Sequence, residues 1–304
     1  LLNCSSKDKF YNITDTNYKT YYFNKYGFAQ LCNKKLDIID NDNNKNFNIK
    51  YFSNLKDFDL VFLTTNMFKN FIDKVNINKK IIIVLHCSDT GFPNEFSSRD
   101  KKKYIKFIEN NENIYKLYCV NFDLKQEHFK IKPFPLGIDY GKYSNKLSPI
   151  EQELKLISIY KNSVSFDKRL DKCYSFFQFR MFNRHNKDRY VAQDALDKVN
   201  FNVYQDKKIP REETWENMVR YKWIISPHGN GLDCHRTYEA IALGCIPVVK
   251  SSTLDIMYKN MPIIILNDWN EISLELLKSK TEEALKKSKE TITLDYWIKK
   301  VNII

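Results

Sequence analysis

Residues Ser226–Lys250 have the sequence SPHGNGLDCHRTYEAIALGCIPVVK, and this stretch decides the fold expected for its surroundings. The apolar residues Trp223–Ile225 precede it and predict a strand that enters the polar loop Ser226–Gly231. A helix-compatible run then extends to about Leu243, and the apolar run Ile246–Val249 predicts a second strand. Strand, loop, helix and strand in this order predict a compact βαβ unit with parallel strands.

The start of the predicted helix is the place where we expect a ligand. Asp233 is the predicted N-cap and Gly244 the predicted stop of this helix. Ligands of parallel sheets bind beyond the carboxyl ends of the strands, which is where the loop lies. Gly229 and Gly231 would let backbone N–H groups approach an anion closely. The loop has neither a GxGxxG dinucleotide fingerprint nor a Walker A motif.

Strand-like and helix-compatible runs alternate along the rest of the chain, which predicts an α/β fold with parallel sheets covered on both faces. The polar segment from about residue 140 to residue 171 separates two alternating blocks. We therefore predict two Rossmann-like domains, residues 1–150 and 151–290, whose sheets face a central cleft. The segment 291–304 is predicted to be helical at Leu294–Val301 and could pack back on the N-terminal domain.

Composition indicates a folded chain with an anionic partner. The chain has 304 residues, 43% of them hydrophobic, and a formal net charge of +12. This charge suits a nucleotide diphosphate, an acidic glycan, a nucleic acid or an anionic membrane, and a merely solvated lysine-rich surface explains it equally well. The basic residues are scattered and form no long tail, which weakens the nucleic-acid interpretation. No apolar run approaches the roughly 18 residues that span a bilayer, and no signal peptide is visible.

Metal sites are not expected from the sequence. The seven cysteines form no CxxC pair and no zinc-type spacing with histidine, and their odd number argues against a full disulfide framework. Asp40 and Asp42 have the DxD spacing that metal-dependent transferases use, but they lie in an asparagine-rich stretch where both residue types form turns. We expect no metal and no required cofactor.

Three side chains of the predicted helix could hold a phosphorylated, hydroxyl-bearing ligand. His235 and Glu239 are four residues apart and Arg236 and Glu239 three apart, so they are neighbours on the helix surface. Arg236 in the first turn can reach a diphosphate at the loop. Glu239, one turn further, offers a carboxylate to a pair of hydroxyls on a ribose or a sugar. The alternative is that Arg236 and Glu239 form only an internal ion pair.

The stretch resembles the donor-binding signature of exostosin-like glycosyltransferases, in a bacterial and viral branch of that group. Arg236, Glu239 and the run Gly244–Val249 (GCIPVV) carry the likeness, and Asp268-Trp269 after the next apolar run is similar too. The clear resemblance covers about 50 residues. It implies the two-domain GT-B fold and a sugar transferred from a UDP- or GDP-sugar to a hydroxyl acceptor, a glycan or glycoprotein.

The resemblance also implies residue roles. The C-terminal domain would hold the donor and the N-terminal domain would meet the acceptor. Three arginines of the segment FRMFNRHNKDR would add charge at the diphosphate, and leaving-group stabilisation of this kind is electrostatic catalysis. The implied donor-binding residues are Arg180, Arg184, Arg189, Ser226, His228, Gly229, Asn230, Gly231, His235, Arg236 and Glu239.

A transferase that inverts the sugar needs a general base near the acceptor hydroxyl, whereas a retaining one can act without such a base. His86 and Asp89 are the candidates, because they follow a predicted buried strand of the N-terminal half. His86 is equally compatible with a hydrogen-bonded structural role. The sequence leaves open the donor base and sugar, the acceptor and the stereochemistry.

Two other functions stay open. One is a DNA-modifying glycosyltransferase, which the positive charge permits, and the other is a module that binds a nucleotide sugar or glycan without catalysis. For location, we slightly favour a cytoplasmic protein, with the lumenal domain of a membrane-anchored enzyme as the alternative. Membrane association through a segment outside these residues would fit the second case.

Overall fold

The chain forms two compact units in the computed structural model, which describes residues 20–35, 47–94, 96–140, 147–179 and 185–302. The first unit takes its described residues from 25–136, and the second combines 20–24 with those after 136. The division of function between an acceptor domain and a donor domain at residue 150 stays a prediction.

The first unit contains a five-stranded sheet in which every neighbouring pair is parallel, with the strands in sequential order from β1 to β5. Strands β2 and β3 are buried along their whole length, which explains the apolar runs LVFL and IIIVL within them. The strands are β1 (Lys34–Lys35), β2 (Asp59–Thr64), β3 (Ile81–His86), β4 (Ile114–Cys119) and β5 (Ile131–Pro133). The helices are α1 (Lys25–Leu31), α2 (Phe68–Lys74) and α3 (Ser98–Asn110).

The second unit contains another five-stranded, all-parallel sheet, with the order β10-β9-β8-β6-β7. Its strands are β6 (Leu170–Ser175), β7 (Asn202–Tyr204), β8 (Tyr221–Ile225), β9 (Ile246–Lys250) and β10 (Ile264–Leu266). Its helices are α4 (Pro149–Asn162), α5 (Asn186–Leu196), α6 (Arg211–Met218), α7 (His235–Ala242), α8 (Asp255–Tyr258), α9 (Leu274–Leu285) and α10 (Leu294–Val301).

The strand order of the second sheet reverses at β6. The chain runs from β6 to β7 on one side and then returns to place β8 on the other side of β6. At such a reversal the connections leave β6 and β8 in opposite directions, and a crevice opens outside their carboxyl ends. Residues 176–179 and the loop Ser226–Gly231 follow these two strands, so both segments lie at the crevice.

Large aromatic side chains fill the core of the second unit. Trp223 of β8 and Trp269 are almost wholly buried in one hydrophobic cluster. Trp223 Nε1 donates to Thr281 Oγ1 at 2.9 Å, and Trp269 Nε1 donates to Asp188 Oδ1 at 2.8 Å. Both indole N–H groups are therefore satisfied, which buried tryptophans require. The second of these bonds joins the core to α5, the helix that carries Arg189.

The prediction of an α/β fold with parallel sheets is confirmed. The predicted βαβ unit is also confirmed, as β8, α7 and β9 with parallel pairing. The predicted amphipathic helix at 271–289 is shorter, Leu274–Leu285, and α10 has the predicted bounds and belongs to the second unit. Across the described ranges, no helix is long and apolar enough to cross a membrane.

Candidate functional site

The loop Ser226–Gly231 leaves β8 at the crevice and is held by hydrogen bonds from several elements. Ser226 Oγ lies 2.9 Å from Thr237 Oγ1 of α7. The backbone N–H of His228 donates to Asp188 Oδ2 of α5 at 2.8 Å, and His228 Nδ1 lies 2.8 Å from the carbonyl oxygen of Leu232. These bonds hold the loop against α5 and α7.

Asp233 is not the N-cap of α7, contrary to the prediction. Cys234 occupies that position and makes no side-chain capping bond. The buried carboxylate of Asp233 instead accepts hydrogen bonds from the hydroxyls of Tyr238 and Tyr258, both at 2.5 Å, and from the backbone N–H of Cys234. It ties the end of the loop to α7 and α8, and it leaves the first turn of α7 without a carboxylate cap.

Arg236 is a cation with little compensation. Its guanidinium lies over the rings of Phe176 and Phe177, with its Cζ 5.0 and 5.8 Å from their centroids. Nη1 lies 3.5 Å from Ser226 Oγ, while Nε is buried and has no hydrogen-bond partner within the described ranges. Burial, followed by the nearby charge of Arg189, lowers the pKa of Arg236 to about 10. A buried N–H without an acceptor is unfavourable, so an acceptor is expected here when a ligand binds.

Arg189 of α5 supplies the second positive charge. Its side chain is buried, and it donates from Nε to the carbonyl oxygen of His228 at 3.0 Å and from Nη1 to that of Gln178 at 2.5 Å. The described residues provide no salt-bridge partner for Arg189 or Arg236. Two guanidinium groups with no salt-bridge partner among the described residues therefore bring positive charge to the crevice.

Glu239 pairs with Arg211 and not with Arg236. Arg211 Nη2 donates to Glu239 Oε1 at 2.5 Å, and the two side chains are 14% and 10% exposed. Arg211, at the start of α6, is not among the site residues predicted from the sequence. Its separation of 28 positions from Glu239 gives no sequence signal, because such a pair depends on how α6 and α7 pack. The alternative of an internal Arg236–Glu239 ion pair is not what the structure contains.

The remaining predicted residues of the loop and helix have different surroundings. His235 Nδ1 lies 2.6 Å from the carbonyl oxygen of Gly137, so that nitrogen is engaged with the backbone. Asn230 is half-buried, and Gly229 and Gly231 are buried. Gly229 donates its backbone N–H to the carbonyl oxygen of Gly231 at 3.0 Å, which closes the loop tightly.

His86 and Asp89 lie at the carboxyl end of β3 in the first unit. The His86 ring has no exposed surface and stacks on Phe62. Its Nδ1 accepts from the backbone N–H of Cys87 at 2.8 Å, and its Nε2 lies 3.3 Å from the carbonyl oxygen of Pro135. These contacts favour the structural role for His86. Asp89 is exposed and keeps its position as a candidate base.

Arg180 and Arg184 lie outside the described residues, as do Asp40 and Asp42. Among the side chains that the structure describes, no group of three or more histidines, cysteines, aspartates or glutamates could hold a metal ion.

No family model matches this chain, and a search of curated proteins finds no match either. The resemblance to exostosin-like glycosyltransferases therefore stays a prediction, and the function has to be argued from the geometry of the site.

Proposed function

We propose that this protein is a glycosyltransferase of the GT-B type, and that its second unit binds the nucleoside diphosphate of a UDP- or GDP-sugar. The observation that carries the proposal is the half-buried Arg236 guanidinium beside Arg189, with a buried Nε and no salt-bridge partner in the described part of the chain. A diphosphate supplies negative charge for both guanidinium groups and an acceptor oxygen for Arg236 Nε, which has no acceptor among the described residues.

The position of the arginines supports this ligand. They lie where the strand order reverses, which is where doubly wound sheets bind nucleotides. The first turn of α7 adds backbone N–H groups and the positive end of the helix dipole. Glu239 follows Arg236 by three residues on α7, which is about 4.5 Å along the helix axis. Its carboxylate can therefore accept hydrogen bonds from hydroxyls of the same ligand.

The same residues suit sugar transfer. In the reaction the bond from the anomeric carbon to the diphosphate oxygen breaks, and the acceptor oxygen bonds to that carbon while its hydroxyl proton passes to a base. Negative charge develops on the departing diphosphate, and Arg189 and Arg236 are placed to stabilise it. We propose that the first unit presents the acceptor and that Asp89 is the base if the reaction inverts the sugar.

A thermal-shift series tests the donor half of the proposal. UDP, GDP and their sugar conjugates are added singly, with inorganic sulfate at equal ionic strength as the control. A ligand at one hundred times its Kd stabilises the native state by about 2.7 kcal/mol, which raises the unfolding midpoint by several degrees. If no nucleotide or nucleotide sugar raises the midpoint more than sulfate does, the proposal is wrong.

The stabilising donor is then incubated with the protein and hydroxyl acceptors, and release of the nucleoside diphosphate is followed. Glycan-dependent release supports the transferase. Binding without release for every acceptor would support the non-catalytic alternative. Release only with duplex DNA, declining steeply as salt rises, would support the DNA-modifying alternative.

A further inference from the structure

Arg211 is the described residue that joins Glu239 to the rest of the second unit. Its guanidinium lies over the Trp215 ring, with Cζ 4.7 Å from the centroid. It donates to the carbonyl oxygen of Asp139, approaches Gln152 Oε1 at 3.4 Å and donates to Glu239 Oε1 at 2.5 Å. Stacking and three hydrogen-bond acceptors from separate segments hold the guanidinium in one orientation.

We propose that Arg211 is a positioning residue that aims the Glu239 carboxylate at ligand hydroxyls and keeps it from neutralising Arg236. The inference rests on the proposed nucleotide site. Glu239 Oε1 is committed to Arg211, whereas Oε2 makes no hydrogen bond with any described residue. One oxygen thus anchors the carboxylate and the other is left to accept from a hydroxyl.

The position of Arg236 gives Arg211 a second effect. Arg236 and Glu239 are three residues apart on α7, a spacing at which an arginine and a glutamate readily pair. Burial and the charge of Arg189 lower the pKa of Arg236, and the charge of Glu239 partly opposes this shift, so the two side chains of α7 are within electrostatic reach. By holding Glu239 towards α6, Arg211 leaves the Arg236 guanidinium for the phosphates. The Arg211–Glu239 ion pair therefore keeps the carboxylate proposed to bind hydroxyls apart from the Arg236 guanidinium proposed to bind phosphates.

Loss of Arg211 would release Glu239 from this orientation. The carboxylate would turn towards Arg236, and the anion site and the hydroxyl site would neutralise each other. A variant without Arg211 is therefore expected to bind a nucleoside diphosphate more weakly and to lose its preference for ligand hydroxyls. A residue with only a structural role would change stability and leave that preference intact.

The test compares binding of a ribonucleoside diphosphate with binding of its 2′-deoxy and 3′-deoxy forms by titration calorimetry. UDP or GDP is used, whichever stabilises the wild type. In the wild type at least one deoxy form should bind about 10- to 100-fold more weakly, because a hydrogen bond to a charged group is lost. In Arg211→Gln this ratio should fall to within about threefold of unity. Arg220→Gln is the matched control, because Arg220 is exposed in the same unit, and it should keep the wild-type ratio.

The outcomes separate the two claims. If Arg211→Gln keeps the wild-type ratio, or if the wild type does not distinguish the deoxy forms, the inference about Arg211 is overturned while diphosphate binding stands. If the wild type binds neither UDP nor GDP, the proposed function itself fails. Arg211→Lys covers the case in which the glutamine variant does not fold. The lysine keeps a positive charge beside Glu239 but lacks the planar guanidinium that fixes the carboxylate. The ratio of ribonucleotide to deoxynucleotide affinity should therefore fall below that of the wild type. An unchanged ratio would overturn the inference.

Discussion

Arg236 is expected to affect both ligand binding and the stability of the fold. Its guanidinium is partly desolvated and has no salt-bridge partner among the described residues, so it should destabilise the unliganded fold. We expect Arg236→Met, which keeps an apolar chain over Phe176, to raise the free energy of unfolding by about 1 kcal/mol. The same change should weaken binding of the nucleoside diphosphate about 10- to 100-fold.

Chemical denaturation and titration calorimetry measure these two effects on one preparation. Arg236→Lys is the control, because it keeps the charge and loses the planar stack on Phe176. It should weaken binding less than the methionine variant does. A methionine variant that is less stable than the wild type and binds equally well would show that Arg236 has a structural role.

Residue types and their spacing are enough to select part of the proposed site. Arg236 and Glu239 could be selected because they share a face of one helix, which is a local property. Arg211 could not be selected, since its pairing with Glu239 depends on where the fold places α6 and α7. The prediction that Asp233 caps α7 was wrong for a similar reason. Two tyrosine hydroxyls, one from α7 and one from α8, compete with the helix N–H groups for its carboxylate.

Gly244 lies between the end of α7 and the start of β9, and its backbone conformation determines how these two elements connect. Gly244 has a φ of +73°, and its backbone N–H donates to the carbonyl oxygen of Ile241 at 3.0 Å. A Cβ at this position would lie 2.6 Å from Tyr160 Cε2. We expect Gly244→Ala to lower the free energy of unfolding by about 1–3 kcal/mol, through left-handed backbone strain and this steric clash.

A double-mutant cycle with Tyr160→Ala separates these two causes. Tyr160 is partly exposed, so its truncation should leave the fold intact. In the Tyr160→Ala background the glycine substitution should cost less, since only the backbone strain remains. An equal loss in both backgrounds would exclude the clash as a cause.

The elements themselves followed from the sequence more closely than their arrangement did. Buried parallel strands such as β3 and β9 are short apolar runs between polar segments, and this signal is local. The order of the second sheet depends on β8 pairing with β6 instead of β7, although β7 is nearer in sequence. No periodicity in the sequence encodes that choice. The crevice that contains Arg236 is a consequence of it, so its exact position could not be predicted.

The second unit is built from two separate stretches of the sequence. The segment 20–24 precedes the described residues of the first unit in sequence and yet belongs to the second. Glu153 of α4 accepts hydrogen bonds from the backbone N–H groups of Tyr21 and Tyr22 at 2.8 and 2.9 Å. This connection was not predicted, because five residues are too few to carry a periodic pattern. It follows that the second unit is incomplete if the chain is cut before residue 137.

Phe23 provides the test of this discontinuous unit. Its side chain has no exposed surface and packs edge-on against Trp297, and its backbone bonds to Ile138 and Ile292. All four tryptophans of the chain belong to the second unit, so tryptophan fluorescence reports the unfolding of that unit. Phe23→Ala should lower the free energy of unfolding measured in this way by about 3–5 kcal/mol, because a large cavity forms beside Trp297. Phe23→Leu keeps most of the apolar volume and should lower it by less. A fluorescence midpoint that neither substitution changes would show that the segment is not part of the second unit's core.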